Sequence, residues 1–199
     1  MADKRYHSPC KFYPPFLVIG GLMAQLECLV GSTKKDDLAV IFIHGLNGDA
    51  RGTWMMDEKD DSTLWPRWLA SDVDCSVWVL GYDAKLSSWQ DNAMPLPDQG
   101  DSVLETLATE EGLKNRPLLL IGHSMGGLVI KTLIHHGRTK GVARYESVVK
   151  RIRGVSFVAT PHNGSQLATL AQYMAFLLRT NPQVGNMQNH DAHLRSLNQ

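Results

Sequence analysis

Residues 117–131, PLLLIGHSMGGLVIK, form the stretch whose reading decides the fold. An apolar run from Pro117 to Ile121 enters Gly122-His123-Ser124-Met125-Gly126, and an apolar segment of helical period follows, ending near His136. A strand, a tight turn and a helix in that order give G-x-S-x-G its chemical meaning, because the serine at the apex is lifted clear of the sheet edge. The two glycines are there for steric reasons, since side chains at Gly122 and Gly126 would collide with the neighbouring strand and helix. The helix beginning at Met125 turns its positive end toward any negative charge that develops at Ser124 Oγ. Taken alone, the pentapeptide also reads as a Gly-rich turn with an incidental serine, and the flanking strand and helix weigh against that. A phosphate-cradling loop does not fit, since no Gly-Lys-Ser/Thr follows.

Upstream and downstream of that turn the chain alternates between strand-like and helix-like segments. Leu38 to Ile43 (LAVIFI) is a continuous apolar run rich in β-branched residues, as expected of a strand buried on both faces. A helical stretch near Leu64 to Ala70 precedes a strand at Ser76 to Leu80, and an amphipathic helix spans Asp101 to Gly112. After the Ser124 turn come a helix at Val142 to Arg151, a strand at Gly154 to Ala159 and a helical region at Ser165 to Leu178. Such alternation implies an α/β fold, a mostly parallel sheet flanked by helices, with ligands beyond the carboxyl ends of the strands. The segment Phe16 to Val30 follows Lys4, Arg5 and Lys11 and so mimics a leader, but Glu27 interrupts it and no small-x-small cleavage site follows. It is read instead as ending in a strand, Gln25 to Val30, that turns at 31–36 and pairs with the strand at Leu38 to Ile43.

Composition narrows the setting. The 199 residues suit one domain with a substantial core, and no repeat, low-complexity segment or linker marks a second. Twenty basic residues balance twenty acidic ones and are scattered, so the electrostatic footprint of a nucleic-acid binder is missing. Cys10, Cys28 and Cys75 are odd in number and lack C-x-x-C spacing, against a disulfide framework and against a zinc site. The expectation is a protein without metal or organic cofactor, in a reducing compartment, cytoplasmic by default, with membrane or organelle association left open.

The second piece of chemistry is His44-Gly45-Leu46-Asn47-Gly48, directly after the first buried strand. Acyl transfer needs two backbone N–H groups aimed at the developing oxyanion, one from the residue after the nucleophile and one from this loop. Those donors are Met125 and Leu46. Gly45 lets the loop approach the site, and His44 is read as fixing the loop rather than acting as base, because the chain order of the triad puts the base last.

These motifs carry a resemblance. VIFIHGLNGDARGTW, LWPRWLASDV, VWVLGYDAKLSSW, LLLIGHSMGGLVIK and RGVSFVATPHNGS together resemble the serine esterase and lipase-like group of the α/β-hydrolase superfamily. That group includes the serine active-site-containing protein and the inositol-deacylase-like esterases, and the likeness covers residues 38 to 170. The elbow alone points only to the superfamily; Thr-Pro-His-x-Gly-Ser and Trp-Pro-x-x-Trp-Leu make the likeness more specific. The resemblance implies a hydrolase of carboxylic esters, with lipids as the substrate class and with further domains in a longer chain. His123 and His162 border the site in such folds and are read as pocket or loop-fixing residues. Trp65, Trp68 and Trp78 are read as core and cap packing, while Trp54 and Trp89 fit a lipid pocket or plain packing.

The pattern is also incomplete. In this fold the nucleophile is followed by Asp or Glu after a later strand and then by His in a loop after the last one. No buried strand is evident after Ala159, and His190, Asp191 and His193 lie too close together in sequence to bracket one another as acid and base. The expectation is therefore a single domain, C-terminally incomplete, whose acid and base lie beyond residue 199. A non-catalytic hydrolase-like module that binds a lipid or a protein is the competing reading.

Overall fold

The computed structural model describes residues 24–32, 37–84 and 96–163. Its sheet is built around β2 (Leu38–Ile43). Side chains alternate across a strand, so the two faces of β2 feed two cores. Ala39, Ile41 and Ile43 join one cluster with Leu80, Leu104, Leu107, Leu118, Leu120 and Leu133. Val40 and Phe42 join the other, with Val77, Val79, Trp54 and Leu64. An unbroken apolar run is thus what a strand covered on both faces requires.

The remaining elements follow from the same pattern. β1 is Gln25–Val30, α1 Pro66–Asp72 and β3 Cys75–Gly81. α2 is Leu96–Thr109, β4 Leu118–His123 and α3 Met125–Thr139. α4 is Ala143–Arg151 and β5 Ile152–Val158. α1 starts on Pro66, whose missing N–H costs nothing in the first turn. α2 begins before Asp101 because Gln99 and Gly100 are already on the buried face, with Val103, Leu104 and Leu107 continuing it. Short 3₁₀ turns at Gly52–Trp54 and Asp61–Thr63 fill the connection between β2 and α1.

The strand order is β1-β3-β2-β4-β5. β2 runs parallel to both β3 and β4, and β4 runs parallel to β5. The chain thus leaves β2 toward β3 on one side, then crosses back to β4 on the other. The carboxyl ends of β2 and β4 lie side by side at that reversal, the place where such sheets bind ligands. In register, Ile43 stands opposite Gly122, so the loop after β2 and the turn after β4 begin side by side.

One pairing differs from the sequence expectation. β1 lies antiparallel to β3, not beside β2. Both edges of β2 are already taken by parallel partners, and the half-exposed β1 suits the free edge of β3. The tryptophans also divide: Trp54 and Trp78 are buried, whereas Trp65 is 40% and Trp68 56% exposed, so Trp68 is not core packing. Trp65 still sets its ring edge-on to Phe42 at 5.1 Å, and Trp68 Nε1 donates to the Ser62 carbonyl at 3.1 Å. Cys75 is buried and free. Among the described residues no helix is long and apolar enough to cross a membrane, and no group of three His, Cys, Asp or Glu side chains is gathered for a metal. The expected helix at 165–178, Trp89, the segment before Ala24 and His190, Asp191 and His193 lie outside the described residues.

Candidate active site

A single residue separates β4 from α3, and it is Ser124. Reversing a strand into a helix in one residue demands unusual torsions: Ser124 has φ 52° and ψ −120°. That conformation costs a side-chain-bearing residue about 1–3 kcal/mol and persists only where the surroundings enforce it. Here they do. Ser124 N–H donates to the Val158 carbonyl at 2.8 Å, tying the turn to the end of β5, and the Ser124 carbonyl accepts from Gly127 N–H at 3.1 Å. The serine side chain makes no capping hydrogen bond to α3.

Close packing explains the glycines on either side. A Cβ at Gly122 would stand 2.7 Å from the Gly127 backbone, and one at Gly126 would strike the carbonyls of Ile43 and His44. Gly126 is thus where α3 seats on the end of β2. The neighbouring loop comes equally close, since a Cβ at Gly45 would lie 2.8 Å from Ser124 Cβ. Two other side-chain-bearing residues share the positive-φ region at the mouth of the sheet, Asn47 (φ 57°) after β2 and Ala159 (φ 51°) after β5. Together with Ser124 they give three such residues just past the carboxyl ends of three parallel strands.

His44 sits buried at the base of its loop, fully engaged. Its Nδ1 lies 2.9 Å from the Gly45 carbonyl, and its Nε2 accepts from the backbone N–H of Tyr82 at 3.2 Å. An acceptor at Nε2 and a donor at Nδ1 define one neutral tautomer. Burial pulls the His44 imidazole below its ordinary 6.5, more than the Gly45 carbonyl and Asp49 raise it. One ring nitrogen is thus used on the loop's own Gly45 carbonyl and the other on the segment after β3. Leu46 packs partly buried against the core, and Met125 is buried at the start of α3.

His123 lies beside Gly45, its Nδ1 3.1 Å from where a Gly45 Cβ would stand, and its ring is 6.2 Å from that of Trp54. Burial lowers its pKa, and its Nδ1 is buried without a hydrogen-bond partner among the described residues. His162 is exposed beyond β5, its ring edge-on to Phe157 at 5.1 Å. The structure therefore brings Gly45, His44 and Ser124 together, while His162 keeps to the β5 side.

Several contributors escape a reading of the sequence. Tyr82 stacks on His44 with ring centroids 4.5 Å apart and an interplanar angle of 17°. Thr160 is buried against Gly127, with Oγ1 donating to the Gly122 carbonyl at 3.4 Å. Asn47 N–H donates to the Ala84 carbonyl at 2.8 Å. Outside the loop, Arg51 bridges Glu27 of β1 at 2.7 Å and also pairs with Asp61, which binds Arg67.

A mostly parallel sheet with this order, flanked by helices and closed by a strand-turn-helix at its reversal point, is an α/β-hydrolase fold. The mature lipase BlEst2 of Bacillus licheniformis has the same fold: its structure superposes with a TM-score of 0.52 at 21% identity, covering 86% of this chain and 65% of the lipase. At the level of sequence, residues 32–183 match the family described as "Putative serine esterase (DUF676)", and the chain belongs to that family. Protein SERAC1 of Homo sapiens is 31% identical over 177 residues, and that of Danio rerio 29% over 194. These alignments cover 79% and 87% of this chain but only 27% and 29% of the relatives, so the chain spans little more than a quarter of their length.

Proposed function

We propose that this chain carries the nucleophile and the oxyanion hole of a serine ester hydrolase. The observation that carries the reading is the forced φ of 52° at Ser124, held where Gly45 closes against it. Strain at a side-chain-bearing residue is retained where the position has a use, and here the use is to present Oγ at the carboxyl ends of the strands. Ser124 Oγ attacks the ester carbonyl carbon; the carbonyl oxygen takes up the charge and is met by the N–H groups of Leu46 and Met125. The histidine that the fold places after β5 takes the Oγ proton and passes it to the departing alcohol, so collapse of the intermediate leaves an acyl-enzyme, which water then hydrolyses by the same path. The positive end of α3 supports the same charge.

His44 does not serve as base in this scheme, because Nε2 is occupied by the Tyr82 N–H and Nδ1 by the Gly45 carbonyl. By the chain order of the fold, the acid and the catalytic histidine follow β5. Carboxylic esters are the substrate class, in keeping with the family description. The test is hydrolysis of short p-nitrophenyl esters, and labelling by a fluorophosphonate, in the natural full-length protein and its Ser124→Ala variant. Loss of both in the variant supports the reading; turnover and labelling that survive Ser124→Ala overturn it, and a full-length protein inert to both points to a binding module.

A further inference from the structure

The Leu46 N–H belongs to the same peptide unit as the Gly45 carbonyl. That unit is planar and trans, so its N–H and C=O point in opposite directions, and whatever holds the carbonyl also aims the N–H. His44 Nδ1 holds the Gly45 carbonyl at 2.9 Å, and Gly48 N–H adds a second bond to it at 3.1 Å. The direction of the proposed oxyanion donor therefore depends on where the His44 ring stands.

Tyr82 sets that ring in three ways. Its backbone N–H donates to His44 Nε2 at 3.2 Å, which leaves the proton on Nδ1, where the Gly45 carbonyl needs a donor. Its ring stacks on the imidazole at 4.5 Å. Its phenol Oη donates to the His44 carbonyl at 2.8 Å, fixing the preceding peptide as well. Burial holds the phenol well above its ordinary 10, so it stays a donor across the range in which enzymes work. Two residues on, the Ala84 carbonyl receives Asn47 N–H at 2.8 Å, so the segment 82–84 grips the loop on both sides of Leu46. Gln99 Nε2 of α2 in turn donates to the Asp83 carbonyl at 2.9 Å, which anchors the segment to the helix layer.

We infer that Tyr82 is a positioning residue of the oxyanion hole, acting through the His44 ring and the Gly45 carbonyl to aim the Leu46 N–H. The inference rests on the proposed function. It predicts a particular kinetic signature, because a donor that engages only the charged intermediate affects turnover and not substrate affinity.

Tyr82→Phe keeps the stack and the backbone bond and removes only the phenol bond. In the natural full-length protein, kcat on p-nitrophenyl butyrate should fall about tenfold, the equivalent of one hydrogen bond, with KM nearly unchanged. Tyr82→Leu also removes the stack and should fall further, while Tyr82→Trp keeps an aromatic face and a donor and should lie between. A second readout does not need activity: amide hydrogen exchange at residues 45–48 should quicken in Tyr82→Phe while amides of β2 and β4 stay protected, and the ¹⁵N spectrum of His44 should show the proton on Nδ1 in the parent chain. Unchanged exchange at the loop, or a proton on Nε2, overturns the inference, as does an active parent whose kcat survives Tyr82→Phe. If the parent shows no Ser124-dependent turnover, the proposed function fails, and the exchange measurement still decides whether Tyr82 holds the loop.

Discussion

Gly45 and Ser124 come from different strands and meet so closely that a Cβ on the first would stand 2.8 Å from Cβ of the second, well inside contact distance. The same absent Cβ would sit 3.0 Å from the His123 carbonyl. Neither neighbour can move: one is the apex of the turn, the other the last residue of β4. Gly45→Ala must therefore shift the loop rather than the turn, and with it the Leu46 N–H. On the proposed function, the expected outcome is a loss of ester turnover on the order of 10²- to 10³-fold, the cost of one lost oxyanion donor. Urea denaturation run in parallel should show the fold retained; full activity in Gly45→Ala would break the link between this contact and the hole.

The torsions of Ser124 give a second outcome, in stability. At φ 52° and ψ −120° glycine is at ease and any side chain is strained. Ser124→Gly should match or exceed the parent in urea midpoint and exceed Ser124→Ala by about 1 kcal/mol, since alanine keeps the strain that glycine relieves. Both variants should lose Ser124-dependent turnover. Ser124→Gly less stable than Ser124→Ala would mean that the turn is held without strain.

Trp54 supports the floor of the site from the other face. It is 3% exposed and sets its ring edge-on to Phe42 at 5.1 Å, to Trp65 at 5.8 Å and to His123 at 6.2 Å. Removing a buried indole leaves a cavity and strips these ring contacts, so Trp54→Ala should cost about 3–5 kcal/mol of stability, read from urea denaturation. Trp68→Ala, at an exposed ring, should cost far less. Comparable losses in the two variants would contradict the division of the tryptophans into buried and exposed.

What the sequence makes legible is whatever depends on chain-local pattern. LAVIFI and SVWVL read as buried strands because a strand covered on both faces has no polar residue to alternate with, and Ser124 reads as a turn apex because strand, glycine and helix are contiguous. Pairing is not legible. Nothing within Gln25–Val30 says that β2 already has two neighbours, so the strand looks free to pair with the next in sequence when only the edge of β3 is open. The role of Tyr82 is hidden for a related reason: it acts on His44 across 38 positions, through a contact that the sheet order creates. Trp68 misleads because a tryptophan beside apolar neighbours looks like core, whereas the short helix α1 turns it outward and satisfies its Nε1 on the Ser62 carbonyl.

Buried His44 and half-buried His123 contribute a pH dependence. Burial lowers the pKa of both His44 and His123 below the ordinary 6.5. The unfolded chain therefore takes up these protons first as the pH falls, and unfolding is favoured progressively from about 6.5 downward until the folded-state values are passed. Above about pH 7 both states carry neutral rings and this contribution vanishes. For His44 the structural reason is visible: a proton on Nε2 would face the Tyr82 N–H donor, breaking the 3.2 Å bond. His123 Nδ1 has no acceptor among the described residues to receive a second proton. Urea midpoints measured from pH 7.5 to about 5 should fall with pH, and the slope should flatten in His44→Asn and in His123→Asn, each of which removes one titrating ring. The Asp49 carboxyl does not confuse the result. Burial opposes its ionisation, but the N–H groups of Gly52 and Arg51 outweigh that and hold it below its ordinary 3.8, so its own contribution is lost only in stronger acid. A slope that is the same in the parent and both variants would show that neither ring is buried in its neutral form.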